Sequence, residues 1–252
     1  MTAALRDKTV LVTGGTTGIG LATVRAILDA GANVVAASRN AERGRAVIAS
    51  LDNDRATFHP VDVTDEASVA SLIDVTIERF GVLDHLFNNA GHEGAVGPMS
   101  AWSEGAVGLV LDVNVKGAFL CMKHAAPRMA SGSVIVNTSS LLGTIPMPLA
   151  APYAASKAAL LSLSRSAAAE LSESGISVFA ICPAVVDTPM IERVSAAAGA
   201  PKEALAEMVC PSGRVTSPER VAEVVRSLFE NRTCYPTGTL LRIAPDVLEP
   251  IG

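Results

Sequence analysis

Aromatic side chains make up only 4% of the 252 residues, with a single tryptophan. The core must therefore come from Ala, Val, Leu and Ile, the profile of strands buried on both faces with helices packed closely over them. Cysteine is sparse as well. Cys121, Cys182, Cys210 and Cys234 stand far apart with no CxxC and no Cys/His ligand spacing, which predicts reduced thiols and excludes a disulfide framework. His59, His85, His92 and His124 form no HxxxH or HExxH pattern, so no metal site is expected. Lys and Arg are scattered in a chain of net charge −5, which leaves no electrostatic footprint for nucleic acid or an anionic membrane. Nowhere do 18 uncharged apolar residues run together, and the opening MTAALRDKTVLV has no basic stretch ahead of a long apolar one. A soluble, untargeted, cytoplasmic protein is the expectation. No Pro/Gly/Ser-rich linker divides the chain, so residues 1–252 are read as one domain.

What is present is a regular alternation. Extended segments are expected at 9–12, 33–37, 56–61, 83–87, 133–137, 177–181 and 239–243, the last closing the sheet edge before a short tail. Helical segments are expected at 19–30, 41–51, 65–80, 101–129, 152–171 and 218–229. Strands alternating with helices imply parallel strands joined by right-handed crossovers, with ligands beyond the strands' C-terminal ends. The fold class is therefore α/β, a doubly wound parallel sheet of about seven strands with helices on both faces.

Several of those strand ends carry residues suited to a ligand. The first leads into TGGTTGIG, Thr13 to Gly20, where glycines let backbone approach a diphosphate and the helix start favours its negative charge. Its spacing is GxxxGxG rather than GxGxxG, so the usual dinucleotide fingerprint does not strictly apply. The second strand ends in Ser38-Arg39-Asn40 with no acid to accept from a ribose 2′-OH, which argues for a 2′-phosphate held by Arg39 and hence for NADP(H) over NAD(H). Glu42 stands close enough to compete for Arg39. Asp62 reads either as an acceptor for an adenine amino group or as a turn residue ahead of the next helix. Asn88-Asn89-Ala90-Gly91 offers a small surface against which a flat ring can lie, and Thr138-Ser139-Ser140 places hydroxyls at the crevice.

Tyr153 and Lys157 lie four apart in YAASK, behind the helix-starting Pro152, and so share one helical face. An ammonium close to a phenol favours the phenolate, which lowers the tyrosine pKa toward the working pH of a general acid/base. The same spacing also occurs as a packed ring beside a solvated amine. Asn114, on an apolar stripe, reads as a satisfied core amide when taken alone. The Ala- and Met-rich segment 189–211 suits either a lid over a substrate pocket or additional helical packing.

Taken together, TGGTTGIG, NNAG, Asn114, Ser140 and YAASK resemble the short-chain dehydrogenase/reductase family in its compact, single-domain, Rossmann-type branch, over residues 9 to about 243. The resemblance implies Tyr153 as proton donor or acceptor, Lys157 tuning it and holding the nicotinamide ribose, Ser140 binding the substrate oxygen, and Asn114 supporting a water relay. It further implies a cofactor site with Gly14, Gly18 and Gly20 at the diphosphate and Thr16, Thr17 and Ile19 of the same turn among the cofactor-binding residues, joined by Ser38 and Arg39 as read above. Asp62 and Val63 would meet the adenine, Asn89 the adenosine-side ribose, and Pro183, Val186 and Thr188 the carboxamide, with Ala90 and Gly91 also among the cofactor-binding residues. Two departures stand out: Pro183-Ala184 where the family commonly has Pro-Gly, and Ala244-Pro245-Asp246 where it commonly has Asp-Gly-Gly. The implied activity is NAD(P)-dependent exchange of a secondary alcohol and its ketone, by a homotetramer or homodimer. The alternative is a catalytically silent scaffold or redox sensor of the same fold.

Overall fold

The computed structural model describes residues 3–210 and 212–252. The strands are β1 (Thr9–Thr13), β2 (Asn33–Ser38), β3 (Ala56–Pro60), β4 (His85–Asn88), β5 (Val134–Thr138), β6 (Ser177–Pro183), β7 (Leu240–Ala244) and β8 (Val247–Ile251). The helices are α1 (Gly18–Asp29), α2 (Ala41–Ala49), α3 (Glu66–Phe80), α4 (Glu104–Leu111), α5 (Gly117–Ala125), α6 (Ala151–Leu171), α7 (Pro189–Ala198), α8 (Lys202–Val209) and α9 (Pro218–Glu230). All strands join one sheet in the order β3-β2-β1-β4-β5-β6-β7-β8. Neighbours run parallel except for β7 and β8, which are antiparallel.

The expected seven-strand α/β sheet is thus present, with one correction at its edge. The strand at 239–243 does not close the sheet. Pro245 and Asp246 form a tight turn that folds Val247–Ile251 back as an outer strand, and Arg214 forks onto Asp246 at 3.0 and 2.8 Å to hold that turn. Pro250 is tolerated there because an edge strand has one side free of ladder bonds.

Side chains alternate between two cores. Val10 and Val12 of β1 join α1, α2 and α9 on one face, through Val24, Ile27, Ile48 and Val225. Leu11, between them, joins α3, α5 and α6 on the other, through Leu72, Ile73, Leu120 and Ala168. Both faces of β1 and β5 are buried without exception, which explains why those segments read as unbroken apolar runs.

The long helix expected over 101–129 is real but starts later and is interrupted. Ser103 caps it, its hydroxyl accepting from Ala106 N at 3.2 Å, and Asp112–Lys116 forms a π-helical turn between α4 and α5. Its most apolar 18 residues have a mean hydropathy of 1.5, enough by length and composition for a membrane span. Here Val113, Leu120 and Ala125 pack into the second core instead. The segment from 189 resolves into α7 and α8, separated by Gly199 in the left-handed region (φ 63°). Pro211, the far end of the expected lid, lies outside the described residues.

Candidate active site

The chain reverses direction across the sheet between β1 and β4, and in such sheets the crevice beyond the strand ends at that point accepts ligands. One wall of the crevice is the turn after β1. A Cβ on Gly14 would stand 2.9 Å from Asn89 Nδ2, one on Gly18 2.9 Å from Thr188 Cγ2, and one on Gly20 only 2.1 Å from the Gly14 carbonyl oxygen. Gly14 and Gly18 also have positive φ. Thr17 precedes α1 without capping it, so the first-turn N–H groups have no side-chain partner and suit a diphosphate. Gly14, Thr17, Gly18 and Ile19 line the cavity, whereas Thr16 and Gly20 lie behind it. This cradle fits a dinucleotide: backbone donors face the space, and side chains are missing where they would block it.

At the far end of the turn, Thr16 Oγ1 donates to Ser38 Oγ at 3.1 Å. Arg39 is exposed beside it and, among the described residues, forms no ion pair with Glu42. Asp62 takes the turn geometry. Its Oδ1 accepts from Thr64 N at 2.9 Å and Thr64 Oγ1 at 2.8 Å. These bonds hold its carboxyl below the ordinary value, with smaller help from Arg39 and Lys116. Asp65, not Asp62, caps α3. Val63 is a core residue, 5% exposed.

Asn89 ties the strand ends together. Its Nδ2 donates to the Thr13 and Gly14 carbonyls at 3.2 and 3.4 Å, and its backbone N–H and that of Ala90 both donate to Thr13 Oγ1. Behind it, a buried chain that was not anticipated from the sequence runs from Asn88 Nδ2 to Asn137 Oδ1 (2.9 Å) and from Asn137 Nδ2 to Ser164 Oγ (2.9 Å). Of the three hydroxyls expected at the crevice, Ser139 instead donates to the Lys157 carbonyl at 2.8 Å and Thr138 leans on Asn89 Oδ1. Ser140 is the one whose hydroxyl meets the Tyr153 phenol. Its oxygen accepts from Leu142 N at 3.2 Å.

Tyr153 and Lys157 share the inner face of α6. Lys157 is 3% exposed, donates from Nζ to the Thr138 carbonyl at 2.7 Å, and stands 5.6 Å from the centre of the Tyr153 ring. The expected lowering of the tyrosine does not occur in this state. Burial pushes the phenol up to about 12, outweighing the lowering by the Ser140 hydroxyl, and Glu93 adds to the rise. Burial likewise drives Lys157 down to about 8, because a charged ammonium is costly where water is excluded. Asn114, 1% exposed, sits in the π-turn. Its Oδ1 accepts from His92 N at 2.7 Å, and its Nδ2 donates to the His92 carbonyl and to Ser156 Oγ, each at 2.9 Å. It is a satisfied core amide and also abuts the site. A methyl placed on Gly91 would lie 3.5 Å from Asn114 Oδ1 and 3.7 Å from Lys157 Nζ, so the bare glycine leaves open the space between them.

These groups surround one cavity of about 300 Å³. Its lining brings together Gly14 and Gly18 of the cradle, Ser140, Tyr153 and Lys157, and Pro183, Val186 and Thr188. Ala184, the first departure from the family pattern, is part of that lining, and its N–H bonds the Ile243 carbonyl at 2.8 Å. Two charged residues in the lining were not anticipated: Glu93, and Arg193 of α7, whose Nε donates to Glu93 Oε1 at 2.5 Å. As the two stand 100 positions apart in the chain, no local spacing signals the pair.

A doubly wound sheet with a glycine cradle at its switch point, and a Ser, Tyr, Lys and Asn set beside it, defines an oxidoreductase built around a nicotinamide dinucleotide. The short chain dehydrogenase model matches residues 8–199, and the chain belongs to that family, whose members act on CH–OH groups with NAD(H) or NADP(H). It is 37% identical to a 2,5-dichloro-2,5-cyclohexadiene-1,4-diol dehydrogenase of Sphingobium indicum, over 94% of this chain and 95% of the relative. It is also 37% identical to a cis-4-hydroxycyclohexanecarboxylate dehydrogenase of Sinomonas cyclohexanicum, over 96% and 97%. The crystal structure of levodione reductase superposes with a TM-score of 0.89 at 31% identity, covering 96% of this chain and 97% of that one.

Proposed function

We propose that the protein transfers a hydride between a nicotinamide cofactor, NADP(H) in preference to NAD(H), and a secondary alcohol/ketone pair, with Tyr153 moving the oxygen-bound proton. The observation that carries this reading is the meeting of Ser140, Tyr153 and Lys157 on one cavity wall, continuous with the glycine cradle. The cofactor supplies hydride chemistry at its nicotinamide. The chain's own residues do the rest. Ser140 and Tyr153 hydrogen-bond the substrate oxygen where charge develops, and Tyr153 gives or takes its proton. Lys157, an amine at about 8, holds the nicotinamide ribose and offsets charge on the phenol. Asn114 lines the gap at Gly91, where a water would link it to Lys157 and carry the proton outward.

Cofactor choice rests on Ser38 and Arg39. Arg39 is exposed, unpaired with Glu42 and near enough to Asp62 to lower that carboxyl, which leaves its fork available for a 2′-phosphate. The remaining nucleotide contacts are assigned to Thr16, Thr17, Ile19, Gly20, Asp62, Val63, Asn89, Ala90, Pro183, Val186 and Thr188. Residues 189–211 act as the substrate lid, supported by the cavity-lining Met190, Ile191 and Val194 of α7 and by Val209. Exposed Ala155, Ala159 and Ser162 on α6, with Phe119 49% exposed on α5, support close helix packing between copies in a homotetramer or homodimer. We read it as a cytoplasmic enzyme on the compositional grounds given above.

The direct test is absorbance of the reduced nicotinamide over a panel of cyclic and open-chain secondary alcohols and ketones with each cofactor. Turnover with at least one pair is expected, and its absence despite cofactor binding would favour the silent-scaffold reading. In Arg39→Asp the ratio of kcat/KM with NADP(H) to that with NAD(H) should fall by about 10-fold or more, the scale of one charge-assisted contact. An unchanged ratio would remove Arg39 from the 2′-phosphate.

A further inference from the structure

Among the described residues, Glu93 is the only carboxylate lining the cavity. Its side chain is 12% exposed, while its partner Arg193 is 61% exposed. Burial alone would push that carboxyl up, but the Arg193 hydrogen bond and neighbouring charges outweigh it and hold it below the ordinary value, so it is ionised at neutral pH. Oε1 accepts from Arg193. Oε2 lies 3.7 Å from His92 Nδ1, too far for a hydrogen bond, and accepts none from other side chains among the described residues, while the Glu93 backbone N–H also donates to the carboxylate. An ionised carboxylate offers about four acceptor sites, so one that accepts from Arg193 and from its own backbone N–H retains capacity for a further donor.

The surroundings make that capacity informative. The nearby lining is apolar: Ala95, Val96, Leu142, Ile191 and Val194. Closing such a pocket with an apolar pair would avoid the desolvation cost of the charges. A carboxylate placed in it, within electrostatic reach of the Tyr153 phenol, gains most from a ligand that brings a hydroxyl. Resting on the reading of Ser140 and Tyr153 as the site of alcohol oxidation, we propose that Glu93 is a specificity-determining residue whose Oε2 accepts a hydrogen bond from a second hydroxyl of the substrate. The preferred substrate class is then a diol rather than a mono-alcohol. Arg193 is a positioning residue: it neutralises Glu93 and fixes which oxygen faces the ligand.

The test compares kcat/KM for cyclohexanol with that for the 1,2-, 1,3- and 1,4-cyclohexanediols, in the wild-type protein loaded with its cofactor. Taking the ratio of diol to mono-alcohol cancels damage common to both. The best diol isomer should exceed cyclohexanol by about 10- to 100-fold, the scale of a hydrogen bond to a charged group. Glu93→Leu should bring that ratio close to 1, Glu93→Gln should leave an intermediate value, and Arg193→Lys should preserve more of it than Arg193→Met. A wild-type ratio near 1, with cyclohexanol oxidised, overturns the role of Glu93 and leaves the alcohol-oxidising site standing. A ratio unchanged in Glu93→Leu does the same. Oxidation of neither, with another secondary alcohol of the wider panel turned over, overturns the diol preference and leaves the alcohol-oxidising site standing; no turnover with any alcohol overturns both. Should Glu93→Leu not fold, the Glu93→Gln ratio decides: a fall supports the role and an unchanged value overturns it.

Discussion

Two helices contribute to the cavity lining, and they are held in opposite ways. In α6, Ser156, Lys157, Leu160, Leu161, Ser164 and Ala168 are all buried, and the polar ones are bonded to the Asn114 and Asn137 side chains or to backbone carbonyls. In α7 no residue is buried. That helix is held by its Thr188 cap, where Oγ1 accepts from Ile191 N at 3.4 Å, and, among the described residues, by one ion pair, from Arg193 to Glu93. The groups assigned to proton transfer therefore stand on the core, where position is over-determined. The groups that would meet the variable part of a substrate stand on an element that can shift at small cost. Such a division would let one reaction be kept while the alcohol changes, as the names of the relatives do.

The comparison is tested most sharply on the anchored side. Tyr153→Phe should lower turnover by about 10²- to 10⁴-fold, the range for losing a general acid/base, while a cofactor titration stays close to wild type. Retained activity would remove Tyr153 from proton transfer. Asn114→Leu should come next. It strips partners from the His92 N–H and carbonyl and from Ser156, at about 1–3 kcal/mol for each group left buried and unpaired. The melting temperature should fall by about 2–4 °C per kcal/mol for a chain of this size. A Tm unchanged by this substitution would mean that water replaces the lost partners. The smallest effect is expected on α7. Ile191→Ala should change stability by no more than about 0.5 kcal/mol and act mainly on the KM for substrate. A drop in Tm comparable to that of Asn114→Leu would show that α7 is as firmly anchored as α6.

Much of the anchored side could be read in the residues, because local rules govern it. Pro152 starts α6 within its first turn, the i, i+4 spacing of Tyr153 and Lys157 puts both on one face, and β-branched runs mark the buried strands. What local rules could not supply was burial. The spacing of Tyr153 and Lys157 suggested a lowered phenol, but exclusion of water, which depends on the whole cavity, moves it the other way. The unanchored side was harder. Thr188-Pro189 and Gly199 are a start and a stop for α7 that could have been recognised, but the pairing of Glu93 with Arg193 depends on tertiary closure alone. β8 was missed because Leu248-Glu249-Pro250 neither alternates nor lacks proline. Its place comes from the Pro245-Asp246 turn and the free edge of β7.

The π-turn at Asp112–Lys116 has a consequence for how this stretch can change over time. Such a turn amounts to one extra residue in an otherwise regular helix. Removing any one residue there would let the hydrogen-bond ladder close again as ordinary α-helix. Everything beyond it would then rotate by about 100°, one residue's share of a 3.6-residue turn. Either Asn114 would leave His92 and Ser156, or Leu120 and Cys121 would leave the core. The stretch can therefore accept almost no change in length.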